Sequence, residues 1–496
     1  MSDYRIEVNL PGKENTFSTN IDSCQITSDY DNHHRFTIES TYEVEEAITC
    51  HDISSLLGEA ISIKFCKGGQ QGVFKGVIDA AKISSNTNGE KTLQISGYSP
   101  TILLDCGQPV KGYANKSLDY VVKQTLTGSK VKCEIASDVG QEQLPWVLQY
   151  FESNYNFLKR LADASGKFEF YYDGEKCFFE DITKQSSSKP IELIEGQNLK
   201  KLKISFDIAP QRYSIKAYKS LNKQSLTANP QPVNTRSELL KIVLDKSELF
   251  DEEHIFLGYA IQEQNEIDRM DKRIRASQTN ELLVITGLTD DPRIRVGSPI
   301  EIETANGVLD GELSSQFFTV IRVEHHYSDR GSYTNRFVAV ISGLPLNLRM
   351  TYETPKLPPT GAVVTDIDPA KGLLKVQLFC DQNQVKTPWL RFLTPFSGSG
   401  GFFLPPKVGD HVMVMGEDMN VNSIFVLGAF YAGDEAQNWQ KGKVGFYADD
   451  KSGILFEEGE VIFFGEGIRL VSRQESSWDA SELYFACNKG TMPTKR

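Results

Sequence analysis

Few residues in this sequence are spaced for chemistry. Asp449-Asp450 and Glu457-Glu458 are the paired carboxylates that acid-base hydrolysis would use. A glycosidase needs its two carboxyls facing each other across a cleft, and both pairs fall in apparent turns, where neighbouring acids are solvated. His33-His34 and His325-His326 are the paired imidazoles. Adjacent residues on a strand point to opposite faces, so neither pair makes a bidentate metal clamp. Ser397-Gly-Ser-Gly-Gly401 is glycine-rich, but it follows Pro395 and leads into a strand, not into a helix N-terminus that could cradle phosphate. No GxSxG elbow, HExxH helix or phosphate-binding glycine loop is present. The eight cysteines, Cys24, Cys50, Cys66, Cys106, Cys133, Cys177, Cys380 and Cys487, stand singly with no CxxC pair. They are expected to be buried free thiols. No catalytic residue, cofactor or metal site is therefore expected, and the chain is read as a non-enzyme.

Composition agrees with that reading. At 496 residues the chain has room for three or four domains. The formal charge of -13 is spread along it without a Lys/Arg block, which disfavours nucleic acid. MSDYRIEVNL has no apolar run behind a basic start, and no later stretch is long enough to span a bilayer. Synthesis in the cytoplasm without a cleaved signal peptide is the expectation.

The elements change character along the chain. Arg35 to Glu39, Ser62 to Phe65 and Gly72 to Asp79 alternate as half-buried strands do. Asn86 to Gly89 makes a hairpin turn before Thr92 to Ser96, and a short helix around Ile53 to Leu57 plugs one end of this first barrel. Leu118, Val121, Val122 and Leu126 then share one helical face, with Ser117 placed to cap it. A second helix starts near Asn154, with Phe157, Leu158, Leu161 and Ala162 as its stripe, Ser153 as N-cap and Gly166 as stop. Phe168 to Tyr172 and Glu175 to Glu180 read as a hairpin about Asp173-Gly174. Strands resume near Ile191, at Leu282 to Ile285, Ile300 to Glu303, Phe318 to Val323 and Asn335 to Ile341. Between them lies a polar, helix-favouring segment, Asp251 to about Gln278, whose sparse apolar positions fit a mostly solvated helix or one that faces a partner.

Leu357-Pro-Pro-Thr-Gly361 marks a boundary. Beyond it Ala362 to Ile367, Leu373 to Phe379, Trp389 to Leu393, Gly401 to Leu404, His411 to Met415 and Ile424 to Gly428 are short apolar runs between turn residues, as in a small closed β-barrel. Trp389 and Phe392 lie beside Arg391, but Lys and Arg are sparse thereafter, so the aromatics here are read as packing. After a polar linker, Gly453 to Phe456, Val461 to Phe464 and Ile468 to Val471 are β-prone runs with too little area to fold alone.

Three motifs resemble one family. Trp146-Val-Leu-Gln-Tyr-Phe-Glu-Ser-Asn-Tyr-Asn-Phe-Leu-Lys-Arg-Leu-Ala162 resembles the QY-x-E-S-D-x-x-F-x-x-R-L stretch of VgrG proteins, the spikes of type VI secretion systems, with Asn154 where an acid is usual. Phe318 to Phe337 is similar to the strand, turn and strand that closes their second barrel. Pro405-Pro-Lys-Val-Gly-Asp-His-Val412 with Val426-Leu-Gly-Ala-Phe-Tyr431 is similar to their OB-fold signature.

The resemblance implies a mainly β (α+β) chain: a first hub β-barrel at 1–96, an inserted α/β region at 97–184, a second hub barrel with a helical insertion at 185–354, an OB-fold domain at 355–435, and a short trimeric β-stem and tip at 436–496. It implies a structural homotrimer that caps a hexameric, Hcp-like inner tube, meets baseplate proteins, carries a PAAR-like tip protein or effectors, and touches the target membrane only by puncture. Export on firing follows. The residues it makes structural are Val408, Gly409, Asp410, Gly428 and Tyr431 at the OB turn and last strand, and Phe456, Ile462, Phe463, Ile468 and Leu470 in the stem core. Ala486 to Pro493 resembles the opening of some PAAR-like tip domains, which makes Cys487, Met492 and Pro493 tip contacts. A cell-wall hydrolase of a phage tail and an OB-fold ligand-binding protein are the alternatives.

Overall fold

The computed structural model describes residues 4–11, 21–42, 49–85, 87, 90–182, 189–219, 224–229, 237–256, 263–304, 316–329, 332–346, 355–396, 404–432, 444–447, 452–457 and 459–466. The chain divides into two compact units, one of residues 1–401 and 405–430, the other of 402–404 and 431–496.

The larger unit begins with β1 (Tyr4–Asn9), β2 (Ser23–Asp29), β3 (Arg35–Tyr42), the one-turn helix α1 (Cys50–Ser54), β4 (Ala60–Lys67), β5 (Gln70–Ser85) and β6 (Lys91–Tyr98). Alternation decides these strands: Phe36 and Ile38, Ile61, Ile63 and Phe65, and Leu93 and Ile95 are buried while their neighbours face out. A Thr49–Asp52 capping box starts α1. Ile53 of α1 and Leu56 just past it join the same core.

The expected hairpin of Asp173-Gly174 and both expected helices are present in the next segment. Its elements are β7 (Val110–Ser117), α2 (Leu118–Leu126), β8 (Cys133–Ile135), β9 (Gln143–Tyr150), α3 (Asn154–Ser165), β10 (Glu169–Tyr172) and β11 (Cys177–Glu180). The Ser153 hydroxyl accepts from Asn156 N at 3.2 Å, and Gly166 ends α3 in the left-handed region at φ 67°. Ser117 occupies the N-cap of α2 but caps no backbone amide; its hydroxyl donates to Asp119 instead.

Then follow β12 (Ile191–Ile194), β13 (Leu199–Phe206), β14 (Tyr213–Lys219), β15 (Gln224–Thr227), α4 (Glu238–Ser247), β16 (Glu253–Phe256), α5 (Gln264–Leu282), β17 (Leu283–Thr289), β18 (Pro299–Glu303), β19 (Phe318–Ser328) and β20 (Ser332–Ile341). The two expected hub barrels share one twelve-stranded sheet, ordered β1-β4-β5-β6-β3-β2-β19-β20-β17-β13, with β12 and β18 joined at β19. The halves meet where β2 pairs antiparallel with β19, Ile26 opposite His325.

The polar segment 251–278 departs from expectation. Glu253–Phe256 is a strand paired parallel with β14, and α5 is deeply buried instead of solvated. Ile267, Met270 and Ile274 pack on β14 and β15, and the charged Asp271, Arg273 and Arg275 are buried with them. Burial of charge is tolerable only with partners, and each has one, as described below.

A five-stranded sheet follows: β21 (Thr360–Asp368), β22 (Leu373–Leu378), β23 (Leu390–Arg391), β24 (His411–Gly416) and β25 (Ile424–Ala429), in the order β23-β22-β21-β24-β25. A bridge between Phe392 and Val426 brings its two edges together, so the barrel is nearly closed. The boundary at 357–361 does not isolate this barrel. Val110, Trp146, Leu148 and Tyr150 of the antiparallel β7–β9 pair share its core with Val364, Val376, Val414 and Val426. Gly112 N donates to Asp381 Oδ1 at 2.8 Å, and Asn383 Nδ2 donates to Gly112 O at 3.0 Å.

Described strands of the smaller unit are β26 (Val444–Tyr447), β27 (Gly453–Glu457) and β28 (Glu460–Phe464), an antiparallel sheet in that order. Of the seven described cysteines, all free, Cys24 and Cys177 are buried, while Cys50 and Cys106 are exposed, contrary to the uniform burial expected.

Candidate functional site

The 146–162 motif is a joint, not a pocket. Arg160 Nε donates to Glu152 Oε2 at 3.1 Å, its Nη2 donates to Oε1 of the same carboxylate, and Nη2 also reaches Leu148 O at 2.8 Å. Gln149 Nε2 donates to Glu152 O at 3.2 Å and to Asn154 Oδ1 at 3.0 Å, so Asn154 serves well where the resemblance led one to expect an acid. Tyr150 packs in the barrel core and meets Thr360. The motif locks α3 to β9, and β9 to the five-stranded barrel.

A second buried cluster joins α3, α5 and β10. Arg273 is wholly buried; its Nη2 donates to Asp163 Oδ1 and to Glu169 Oε2, each at 3.0 Å, and its Nη1 to Phe168 O at 2.9 Å. Tyr30 donates to the same Glu169 carboxylate. Lys159 Nζ donates to Tyr30 O at 2.9 Å. Burial outweighs the Arg273 guanidinium at Asp163, whose carboxyl is pushed up to about 7. Sequence reading missed this cluster. The signal for a buried face was Asp271 and Arg275, four apart and in phase with Ile267 and Ile274; the structure bonds Arg275 Nε to both Asp271 oxygens, at 2.8 and 2.9 Å.

One hydroxyl–imidazole–carboxylate chain exists among the described residues. Thr101 Oγ1 lies 2.7 Å from His33 Nδ1, and His33 Nε2 lies 2.8 Å from Asp105 Oδ2. Thr101 is 1% exposed, so no substrate can reach its hydroxyl. The Asp105 carboxylate also accepts from Ser153 at 2.6 Å, which makes the chain a clasp on the start of α3. No cluster of metal-ligating side chains occurs among the described residues. Asp449, Asp450, Glu458 and 397–401 lie outside them, and Glu457 ends β27 opposite Glu460.

At the OB turn, Gly409 adopts φ 97°, where a side chain would be strained. Its N–H donates to Val364 O at 2.9 Å, Asp410 O accepts from Val364 N at 3.0 Å, and the Asp410 carboxylate accepts from Lys407 N at 2.7 Å. Val408 stands 61% exposed at the tip. Gly428 lies in β25 opposite Met413, and Tyr431, of the smaller unit, is exposed. The aromatics here are not all packing. Phe392 packs on the core, but Trp389, Phe379 and Phe396 are exposed, as is Leu393, and Phe379, His411 and Phe430 form a run of ring contacts at 5.0 and 5.8 Å.

The small sheet carries a mismatch between side-chain type and surroundings. Register places Val444, Phe456 and Val461 in one cross-strand row and Phe446, Ile454 and Phe463 in the next, all on one face. Five of these six are exposed, Val444 by 67% and Phe463 by 58%. Leu455 and Ile462 share the opposite face, where Leu455 is buried. The expected stem core thus divides: Phe456 and Phe463 belong to the open face and Ile462 to the other. Ile468, Leu470, Cys487, Met492 and Pro493 lie outside the described residues.

The phage tail baseplate hub (GPD) family model matches residues 34–331, more than half of the chain. The chain belongs to the phage tail baseplate hub family. The type VI secretion system/phage-baseplate injector OB domain matches residues 360–431, the five-stranded barrel. No curated protein matches this hub chain. Among solved structures, the hub is similar in fold to the E. coli c3393 protein, a type VI secretion component described as resembling the T4 tail proteins gp27 and gp5. That match has 14% identity, covers 86% of this chain and 100% of the other, and has a TM-score of 0.58. The lidded Francisella PdpA-VgrG complex matches at 11% identity over 90% of this chain and 72% of the other, TM-score 0.58. A 43 kDa tail protein of Shewanella oneidensis prophage MuSo2 matches at 15% over 69% and 100%, TM-score 0.50. The VgrG-like reading of the motifs and the mainly β fold are borne out at the level of family and architecture.

Proposed function

We propose that this hub works as a homotrimer, the combined hub and spike of a contractile injection machine. In this reading it caps a hexameric, Hcp-like tube, is driven through the target envelope when the sheath contracts, and carries a PAAR-like tip protein or effectors forward. The division into two hub barrels, insert, OB collar and stem is part of the same proposal. The observation that carries it is the open face of the small sheet. Three short strands present six apolar residues on one face, and five of those side chains stand exposed in a single chain, a contiguous apolar patch of the kind that marks a contact surface. Threefold packing of three such sheets covers each face with its neighbours, through a closed cyclic contact. The exposed Phe379, Leu393 and Phe396 of the OB barrel give a second apolar surface to cover.

Support also comes from the two halves of the twelve-stranded sheet: three chains supply six halves, the number a hexameric tube presents. The similar proteins have names or descriptions that place them in type VI and phage-tail machinery. No step of this function needs a reacting side chain; force passes through backbone ladders and buried ion pairs.

Replacement of Phe456 and Phe463 together by Asp tests it. The double variant is expected to sediment as a monomer with its larger unit folded, because six charges would otherwise be forced into one core. A double variant with unchanged assembly contradicts the proposal. Purified peptidoglycan is expected to release no soluble fragments on incubation with the protein; release would favour a hydrolase instead.

A further inference from the structure

The seam where β2 pairs with β19 carries a partly open cavity of about 620 Å³, lined by one chain alone. Its walls come from the first half of the sheet, the β10–β11 hairpin and the 292–299 segment, with Phe65, Phe74, Phe178, Ile294 and Val296 as apolar lining. The charged groups that line it are all ion-paired; Lys189 pairs at 3.6 Å with Glu192, which lies outside the lining. Arg295 Nη1 lies 3.2 Å from Asp173 Oδ2 and 3.0 Å from Glu175 Oε2, and Arg293 pairs with Asp291 at 2.6 Å.

His325 lines the cavity and is 7% exposed. A directional chain fixes its tautomer. Asn335 Nδ2 donates to Asp291 O at 2.7 Å and to the Tyr333 hydroxyl at 3.2 Å. The Tyr333 oxygen, already accepting, donates its own proton to His325 Nδ1 at 2.6 Å. The ring hydrogen is then on Nε2, which has no partner among the described residues. Burial holds the imidazole neutral, its pKa pushed down to about 3. Phe65 stacks on the ring, centroids 5.5 Å apart, and keeps it in place. An uncharged N–H donor held in one orientation on the wall of a cavity, beside aromatic and aliphatic side chains, is a point where a ligand's acceptor can be fixed.

We propose that this cavity binds a small, uncharged molecule with a largely apolar body and one hydrogen-bond acceptor, which accepts from His325 Nε2. A net charge on the ligand is disfavoured, because the imidazole is neutral and the lining cations Lys189, Arg293 and Arg295 are already paired with carboxylates. The site is complete within one chain and stands whether or not three chains assemble.

Prodan, an uncharged naphthalene ketone whose emission shifts to the blue out of water, tests the proposal on the full-length protein. Saturable, blue-shifted emission at one site per chain is expected. Val73→Trp, which fills the cavity from a half-buried position on β5, should abolish it. His325→Leu should weaken prodan about three- to ten-fold, the worth of one hydrogen bond, and leave the ketone-free dimethylaminonaphthalene unchanged. Absence of saturable binding overturns the proposal. So does binding that survives Val73→Trp, which would place the dye on the exposed apolar faces, or a His325→Leu variant that loses both dyes alike. Should His325→Leu not fold, Val73→Trp alone decides.

Discussion

Arg160 holds Glu152, eight residues earlier, in a two-pronged ion pair with both side chains less than a tenth exposed. The same guanidinium reaches Leu148 O in the strand that enters the OB barrel core. A buried pair of this kind adds little net stability, but removal of one partner strands the other charge. Glu152→Gln is expected to lower hub stability by about 3–5 kcal/mol, measured by chemical denaturation. The double change Glu152→Leu with Arg160→Met should recover most of that loss. A double variant no better than the single one would show that the pair does more than neutralise itself.

Gly72 has no room for a side chain. A Cβ there would lie 1.8 Å from Pro292 O, a backbone atom that cannot rotate aside. Gly72→Ala should therefore cost about 1–3 kcal/mol through forced backbone shifts. An unchanged melting temperature would mean that β5 and the 292 segment separate freely.

Three buried groups make opposing contributions to the pH dependence of stability. Burial pushes His34 and His325 down to about 3, so both stay neutral in the folded hub while the unfolded chain takes up two protons below about 6.5. Their contribution is whole above that pH and is lost as pH falls, at about 1.4 kcal/mol per unit for each. Asp163 acts the other way. Its folded carboxyl, raised to about 7 by burial, holds a proton that the unfolded chain releases above about 4, so its contribution is present at low pH and is lost as pH rises. Between about pH 6 and 4 one proton offsets part of two. Asp163→Asn removes the offset, and its stability should fall more steeply than the parent's by about 1.4 kcal/mol per unit over that window. Parallel stability curves would contradict the assignment.

Much of this fold was legible because strands and short amphipathic helices announce themselves by period. Phe157, Leu158, Leu161 and Ala162 with Ser153 and Gly166 marked α3 from end to end. The buried polar network was not legible, because nothing local distinguishes a buried Arg273 from a solvated one; its partners Asp163 and Glu169 lie 110 and 104 residues away. Helix α4 passed unnoticed although its Leu240 and Val243 are three apart on one buried face, and the proline-rich boundary before β21 hid a shared core that depends on Trp146 and Tyr150 from far upstream. The stem residues were chosen by type alone. Ile462 and Phe463, adjacent on one strand, had to serve different faces; what only the register shows is that Phe463 joins the face of Val444 and Phe456, and Ile462 that of Leu455.

That register makes a distinction between neighbours. Phe463→Asp alone should weaken assembly, read as a concentration-dependent fall in sedimentation, since it places a charge in each copy of the open face. Ile462→Asp acts instead on the face shared with buried Leu455 and should unfold the small sheet itself, read as protease cleavage after Tyr431. Identical behaviour of the two variants would contradict the facing.

Mass in solution tests the central claim most directly. Sedimentation equilibrium of the purified protein at micromolar concentration should return three times the 55.6 kDa chain mass, stable to dilution. A monomer at that concentration would contradict the trimeric spike.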